Sequence, residues 1–427
     1  MTGWFGDSEL DAPARQSEFV RRKPKKITPL LFIQGAVALV SESAVSLSRW
    51  AALLGIIGFT QLAKQSLWER INHGAVGFVQ QVLAAVIGQR IQGIGRSVPK
   101  ALQAFKRVLI QDSTTIKLTA KLAAVFAGSS NHCGSKNGQL KIQAIYELLT
   151  QRFVSFSLSG FTRNDQAASR DVLPLLQRGD LILRDLGYFV VKSFECIANA
   201  GAFFLSRIRL DVKIYDPITD KELNLLRLLR RHGQLDRDVL LGGQRMPVRL
   251  VALKLPQGVA AERRRKAKQN RDKRCKPNAR SLKLLGWAIF ITNVRPEVCC
   301  AKTVAEVYGL RWHIETLFKI WKSHFRITDV PDGSESQLLV VIYARLIFLT
   351  VLAQVAGMNW LDPWEEQKPP PRSILKIAAL LGDFFLVLCF EAWNIKLGEP
   401  LAIQLDYHGR YDRRSRENFV QRLAKLA

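Results

Sequence analysis

Cysteine is scarce in this sequence: Cys133, Cys196, Cys275, Cys299, Cys300 and Cys389 are the only six in 427 residues, and none forms a C-x-x-C pair. That spacing points to neither a zinc site nor a disulfide framework, and it fits a reducing cytoplasm. Acids are short as well, with 36 Asp plus Glu against 63 Lys plus Arg, a net charge of +27 and a pI near 10.2. The stretch Met1 to Val20 holds several acids and no apolar run, so no secretory leader is expected. There is no internal repeat. Two apolar stretches reach spanning length, 338–357 and 374–393. The first contains Arg345 and the second Asp383, and a charge inside a bilayer is costly. We read both as buried helices of a soluble bundle, with no membrane as partner.

What is present favours a large folded protein. The chain is 48% hydrophobic, enough for a substantial core, and its length suggests two or three domains. The cationic excess argues for a polyanionic partner, because neutralisation of phosphates by Lys and Arg dominates nucleic-acid affinity. Anionic membrane, a ribosome-like scaffold and a protein that is merely basic are the competing explanations.

Residues 1–103 read as a helical, DNA-binding region. It opens with a poorly ordered arm that includes Arg21-Arg22-Lys23-Pro24-Lys25-Lys26. Ser66-Leu67-Trp68-Glu69 resembles a capping box, and Gly55 and Gly58 would mark a turn before it. These residues fit a helix-turn-helix reader of DNA ends and a plain helical packing domain equally well. The texture then changes. Lys106 to Gln111 reads as a strand ending at Asp112, and 140–148 and 153–161 as two more. A helix is expected over Asp165 to Arg178, a strand over Asp180 to Arg184 ending at Asp185, a helix over 189–200 and a strand over 202–208. Three strands, helix, strand, helix, strand is the order of a ribonuclease-H-like mixed sheet, here expected over 104–330. About 211–292 forms a β-rich insertion in it, and 331–427 a helical C-terminal region suited to dimerisation. Inside the insertion, 263–280 holds ten Lys or Arg. Such runs are usually solvated surface, and in so basic a protein a phosphate-tracking surface is as good a reading.

Asp112 and Asp185 each close a strand, where rigid backbone opens to solvent, although strand-terminal Asp also commonly starts a turn. A helix is expected from Thr303 to about Phe325. On it Tyr308, Arg311, Glu315 and Lys322 lie at offsets of 0, 3, 7 and 14, within an arc of about 60°. Leu310, Ile314, Leu317 and Trp321 form an apolar stripe beside them. Arg311 and Glu315 could be only a surface i,i+4 pair. Phosphodiester chemistry gives the acids a stronger reading: Mg²⁺ prefers a few carboxylate oxygens and leaves room for water and phosphate, and a two-metal site bridges attacking and leaving oxygens.

The pattern Tyr308-x-x-Arg311-x-x-x-Glu315-x6-Lys322, preceded by Asp112 in QDSTT and Asp185 in RDLGY, resembles the signature of the insertion-sequence-4 family of bacterial DDE transposases. The resemblance covers roughly 106–325. It implies a catalytic triad of Asp112, Asp185 and Glu315 holding two Mg²⁺ or Mn²⁺ ions. It also implies DNA contacts by Tyr308, Arg311, Lys322 and Arg207, and a base-stacking role for Trp287. The implied reaction is cut-and-paste transposition: transposon ends in double-stranded DNA are cleaved and joined to target DNA, often through a hairpin. Cleavage at two paired ends favours a homodimer. The same core would serve a nuclease or domesticated recombinase without strand transfer, or a catalytically inactive DNA-binding protein.

Overall fold

A computed structural model describes residues 7–41, 45–58, 62–89, 98–129, 137–269, 277–359, 373–392 and 419–426. Five helices come first: α1 (Asp7–Gln16), α2 (Pro29–Ala38), α3 (Leu47–Ile57), α4 (Lys64–Arg70) and α5 (His73–Gly88). Strands β1 (Val108–Leu118), β2 (Gly138–Glu147), β3 (Arg152–Gly160) and β4 (Leu181–Arg184) follow, then α6 (Val191–Asn199) and β5 (Phe203–Arg207). Next come β6 (Ile214–Tyr215), α7 (Leu225–His232), β7 (Leu235–Leu241), β8 (Met246–Lys254), α8 (Gln257–Lys268), α9 (Ala279–Leu284) and β9 (Trp287–Thr292). The described chain ends with α10 (Ala301–Gly309), α11 (Trp312–Ser323), α12 (Glu335–Asn359), α13 (Ile374–Asp383), α14 (Phe385–Ala392) and α15 (Phe419–Ala424).

All nine strands among the described residues join one mixed sheet in the order β3-β2-β1-β4-β5-β9-β8-β7-β6. Its central strands are short apolar runs, VLI in β1 and LIL in β4, as befits strands covered on both faces. Their side chains alternate between two cores. Val108, Ile110, Leu181 and Leu183 face the larger one, shared with the N-terminal helices, α11 and α12. Leu109 and Ile182 face a second, filled by Phe194 and Ile197 of α6 and Leu225 and Leu229 of α7. The segment expected as an insertion continues the same sheet: β9 pairs antiparallel with β5, with Leu205 opposite Thr292 and Arg207 opposite Phe290. It also carries three helices.

Several local expectations are corrected. β1 does not stop at Asp112 but runs on to Leu118, because β2 pairs with it from Leu109↔Glu147 to Leu118↔Gly138. Asp165 to Arg178 is not a helix but two 3₁₀ turns, Ala167–Arg170 and Leu173–Leu175. Pro174 cannot supply a helical N–H there, and Arg163 clamps Asp171 through contacts of 2.6 and 2.8 Å. The N-terminal arm holds a packed helix, with Leu10 and Ala14 of α1 buried. Ser66 caps nothing, since α4 already begins at Lys64. Gly55 lies inside α3 while Gly58 caps it, and a Cβ at Gly58 would come within 2.6 Å of Leu31.

Stretch 338–357 falls within the single helix α12, whereas 374–392 breaks into α13 and α14. α12 is the one described helix long and apolar enough to cross a membrane, and most of it is buried against the protein. It packs on α5 and α2. Gln80 of α5 donates to the Tyr343 hydroxyl at 2.8 Å, and the buried Arg345 donates to the carbonyl of Asp329 at 2.8 Å. The Pro-rich 368–371, residues 270–276 of the basic run, Cys133 and Cys275 lie outside the described residues.

Candidate active site

β1 and β4 run parallel with Gln111 opposite Arg184. The next residue on each strand is an acid, so Asp112 and Asp185 stand side by side where the parallel pairing ends. Bonds at both ends hold this register. At the base, Arg107 grips the fully buried Asp180 with two bonds, of 2.5 and 3.0 Å, and donates to the Leu175 carbonyl. At the top, the buried Gln111 amide donates to the Ala168 carbonyl at 2.9 Å. Arg184, fully buried beside Asp185, donates to Ser193 Oγ and to the Ser169 carbonyl. Burial pulls that guanidinium down to about 9.

The third acid arrives on a broken helix, not on the continuous one expected from 303 to 325. α10 stops at Gly309 and α11 starts at Trp312. Across the break the bonds tighten to the i→i+3 pattern: Leu310 N–H to Val307, Arg311 to Tyr308, His313 to Leu310 and Ile314 to Arg311. Tyr308 stays beside the site across the break, with its ring 5.8 Å from the Arg311 guanidinium carbon. Arg311, which lies in the break, is buried. The loop ahead of α10 is held by Arg249, which pairs with Asp236 at 2.6 and 2.7 Å and donates to the carbonyls of Val294 and Cys299.

Arg311 is the focus of the site. Its guanidinium lies 3.0 Å from Asp112 Oδ2, 3.8 Å from Asp185 Oδ1 and 2.6 Å from Glu315 Oε1. Three acids far apart in sequence therefore meet on one cation. Burial opposes the Arg311 charge, but Tyr308, Asp185, Asp112 and Glu315 together raise its affinity for the proton. Asp112 responds the other way. Its burial pushes it up to about 7, against Arg311 and the Ser113 N–H, with Glu315 and Asp185 adding to the rise. Asp185 and Glu315 are more open, with side chains 43% and 36% exposed, so the site has a dry side at Asp112 and a wet side facing solvent.

Several neighbours were not singled out from sequence. Asp165 accepts from Ser113 Oγ at 2.8 Å, Lys141 Nζ at 3.1 Å and Gln143 Nε2 at 3.0 Å. Tyr188 donates to Gln143, and burial first, then Asp165 and Asp112, raises the affinity of its phenol for the proton. Trp312, half-exposed, lies with its ring 5.3 Å from the Arg311 guanidinium carbon. Strand alternation was the available signal for Lys141 and Gln143: they flank Ile142 on β2, and Gln143 is opposite Ser113.

The remaining expected residues divide. Tyr308 packs its ring 5.0 Å from Phe290, and burial pushes its phenol up to about 12. Lys322 is exposed on α11, and partial burial lowers its ammonium. Arg207 closes β5. Trp287 opens β9, and its indole N–H donates to the Gly233 carbonyl at 2.6 Å. The Trp287 ring packs against the second core.

The Transposase DDE domain family matches residues 103–345, more than half of the chain, and every residue of this site lies inside that span. The chain is a DDE transposase. It is 27% identical over 361 residues to the transposase for insertion sequence element IS231E of Bacillus thuringiensis subsp. finitimus, covering 80% of this chain and 75% of that one. It is 26% identical over 439 residues to the transposase for insertion sequence element IS1151 of Clostridium perfringens, covering 97% of this chain and 92% of the relative. A cryo-EM structure of the piggyBac transposase synaptic complex with hairpin DNA aligns over 98% of this chain and 86% of that one, at TM-score 0.43 and 10% identity.

The DDE domain implies dependence on a divalent metal. Among the described residues no three His, Cys, Asp or Glu side chains stand close enough to hold an ion. The reason is visible: the Arg311 guanidinium lies between the acids. The donor set nonetheless fits a hard divalent ion, being three carboxylates from three elements already gathered on one positive charge.

Proposed function

We propose that this transposase cuts the ends of its own element and joins them to target DNA at a site formed by Asp112, Asp185 and Glu315. The observation that carries this reading is the convergence of all three carboxylates on Arg311. The three acids would hold two Mg²⁺ or Mn²⁺ ions, which when bound supply a polarised phosphate and an activated attacking oxygen. Arg311 balances the acids in the metal-free protein and competes with cations for the same oxygens. Once released it is placed to hold a phosphate oxygen. Lys322, two turns beyond Glu315 on α11, supports the backbone of the same DNA. The Trp287 indole, tethered to Gly233, we assign to packing of the second core rather than to a base.

We assign the chain to the insertion-sequence-4 type on Tyr308, Arg311, Glu315 and Lys322. We read β3-β2-β1-β4-β5 as a ribonuclease-H-like core, since β1 pairs antiparallel with β2 and parallel with β4. Residues 1–103 would bind the element's ends, 104–330 would cut, and 331–427 would join two copies in the bacterial cytoplasm.

The test uses duplexes carrying the DNA that flanks the protein's own gene. Asp112→Asn, Asp185→Asn and Glu315→Gln should each abolish cleavage with Mg²⁺ while end binding survives, because affinity comes mainly from dispersed phosphate contacts. Cutting at the wild-type rate by any of the three would remove that residue from the site. Precut ends that are never joined to target would favour a nuclease.

A further inference from the structure

The short helix α15 meets the rest of the chain at the break between α10 and α11. In an unbroken helix the His313 N–H would go to the Gly309 carbonyl, one full turn back. It goes instead to Leu310 at 3.0 Å. The Gly309 carbonyl thereby becomes one of the acceptors that a helix end leaves without its helical partner, and the Arg422 guanidinium of α15 donates to it at 3.3 Å. On the other side of the break, the buried His313 ring stacks on Phe419 of α15, with centroids 3.9 Å apart and planes at 22°.

Both partners in this contact are anchored. His313 Nε2 lies 3.3 Å from the Tyr146 hydroxyl of β2, and Tyr146 is opposite Ile110, which precedes Asp112 on β1. Leu423 of α15 is buried, as is Leu426 just after it, whose carbonyl accepts from the Ala101 N–H ahead of β1. A cleft of about 400 Å³ is lined by Phe419 and Arg422 together with Trp312 and Glu315. Two side chains from the C-terminal region thus straddle the break that carries Arg311 and Glu315 to the acids on the sheet. Neither lies in the span matched by the DDE family, 103–345. Apolar packing accounts for Leu423 and Leu426, but not for a guanidinium on the carbonyl that the break frees.

We propose that Phe419 and Arg422 are positioning residues for DNA cutting: α15 clasps the break and so holds Glu315 and Arg311 in place against Asp112 and Asp185. Both act through the chain at 309–313 rather than on the DNA. Cutting is sensitive to such placement, since an error of about 1 Å in a reacting group can cost about a hundredfold in rate. The inference rests on the reading of Asp112, Asp185 and Glu315 as the cutting site, and it gives the C-terminal region a task besides joining two copies.

The experiment compares full-length wild type, Phe419→Leu, Phe419→Tyr and Arg422→Met on the same end duplex, reading affinity and the single-turnover cutting rate at saturating Mg²⁺. Amide hydrogen exchange over 309–314 is followed in the metal-free protein without DNA. Phe419→Leu and Arg422→Met should cut about ten to a hundred times more slowly. They should still bind ends within about twofold of wild type, because affinity comes mainly from dispersed phosphate contacts. Exchange over 309–314 should speed up in both and stay unchanged in β1 and β4. Phe419→Tyr, which keeps the stack, should restore both the rate and the protection. Cutting at the wild-type rate in Phe419→Leu and Arg422→Met would overturn the proposal. So would unchanged exchange at the break, a loss that Phe419→Tyr shares, or exchange that rises across the whole sheet, since the last two mark a role in the general fold. A wild type that binds these ends but never cuts them would instead sink the functional reading, and the positioning role with it, even where exchange shows that α15 holds the break.

Discussion

Asp112 carries the sharpest consequence at the scale of a single residue. Its folded value, about 7, lies above the 3.8 it has when unfolded. Between those values the folded chain keeps a proton that the unfolded chain has lost. Stability from this group is therefore greatest near pH 4, declines as pH rises to 7 and is level above that. In metal-free protein, wild type should gain melting temperature relative to Asp112→Asn as pH falls from 7 to 4. A difference that stays constant over that range would mean that Asp112 is ionised throughout. The three acids were legible in the sequence as candidates, because hard-metal chemistry selects carboxylates. Arg311's place among them was not, since it depends on a helix break.

Elements set where these residues stand. The strand pair β1 and β4 was legible from its apolar runs, and so was the end of β4 at Asp185. The extension of β1 past Asp112 had a signal in Thr114, Thr115 and Ile116, which favour strand. The break between α10 and α11 had almost none: Leu310, Ile314, Leu317 and Trp321 keep helical spacing straight across it. Tertiary pull decides there, as the acids draw the Arg311 guanidinium inward and the local backbone tightens to let it reach. Likewise Asp165 was expected to open a helix, but three side-chain donors on β1 and β2 hold it at the site. The clamp below the acids can be tested directly. Asp180→Ala leaves Arg107 unpaired at the base of the two central strands. It should cost about 3 kcal/mol or more, read by chemical denaturation. A loss under about 0.5 kcal/mol would show that the pair contributes no more than a surface contact does.

At the scale of the whole molecule, the N-terminal helices, one face of the sheet and α12 share a core that runs in sequence from Leu10 to Leu426. Composition could foretell a large core but not that it would unite the two ends of the chain. The C-terminal turn closes onto the stretch before β1, where Ala101 N–H donates to the Leu426 carbonyl at 3.1 Å. Leu346→Ala, at a fully buried position of α12, should cost about 2–5 kcal/mol. It should lower one common melting transition. A second transition left at the wild-type temperature would show that the helical ends and the sheet fold separately.

The seam between β5 and β9 has a consequence in time. Hairpins such as β1–β2 and β7–β8 need only nearby residues, but the seam must close a loop of about 90 residues, and long-range closures are entropically costly and slow. The meeting of residues 112, 185 and 315 requires longer ones still. Local strands should thus form early and the cluster of three acids late. A newly made chain therefore carries its net positive charge of +27 before that cluster has assembled.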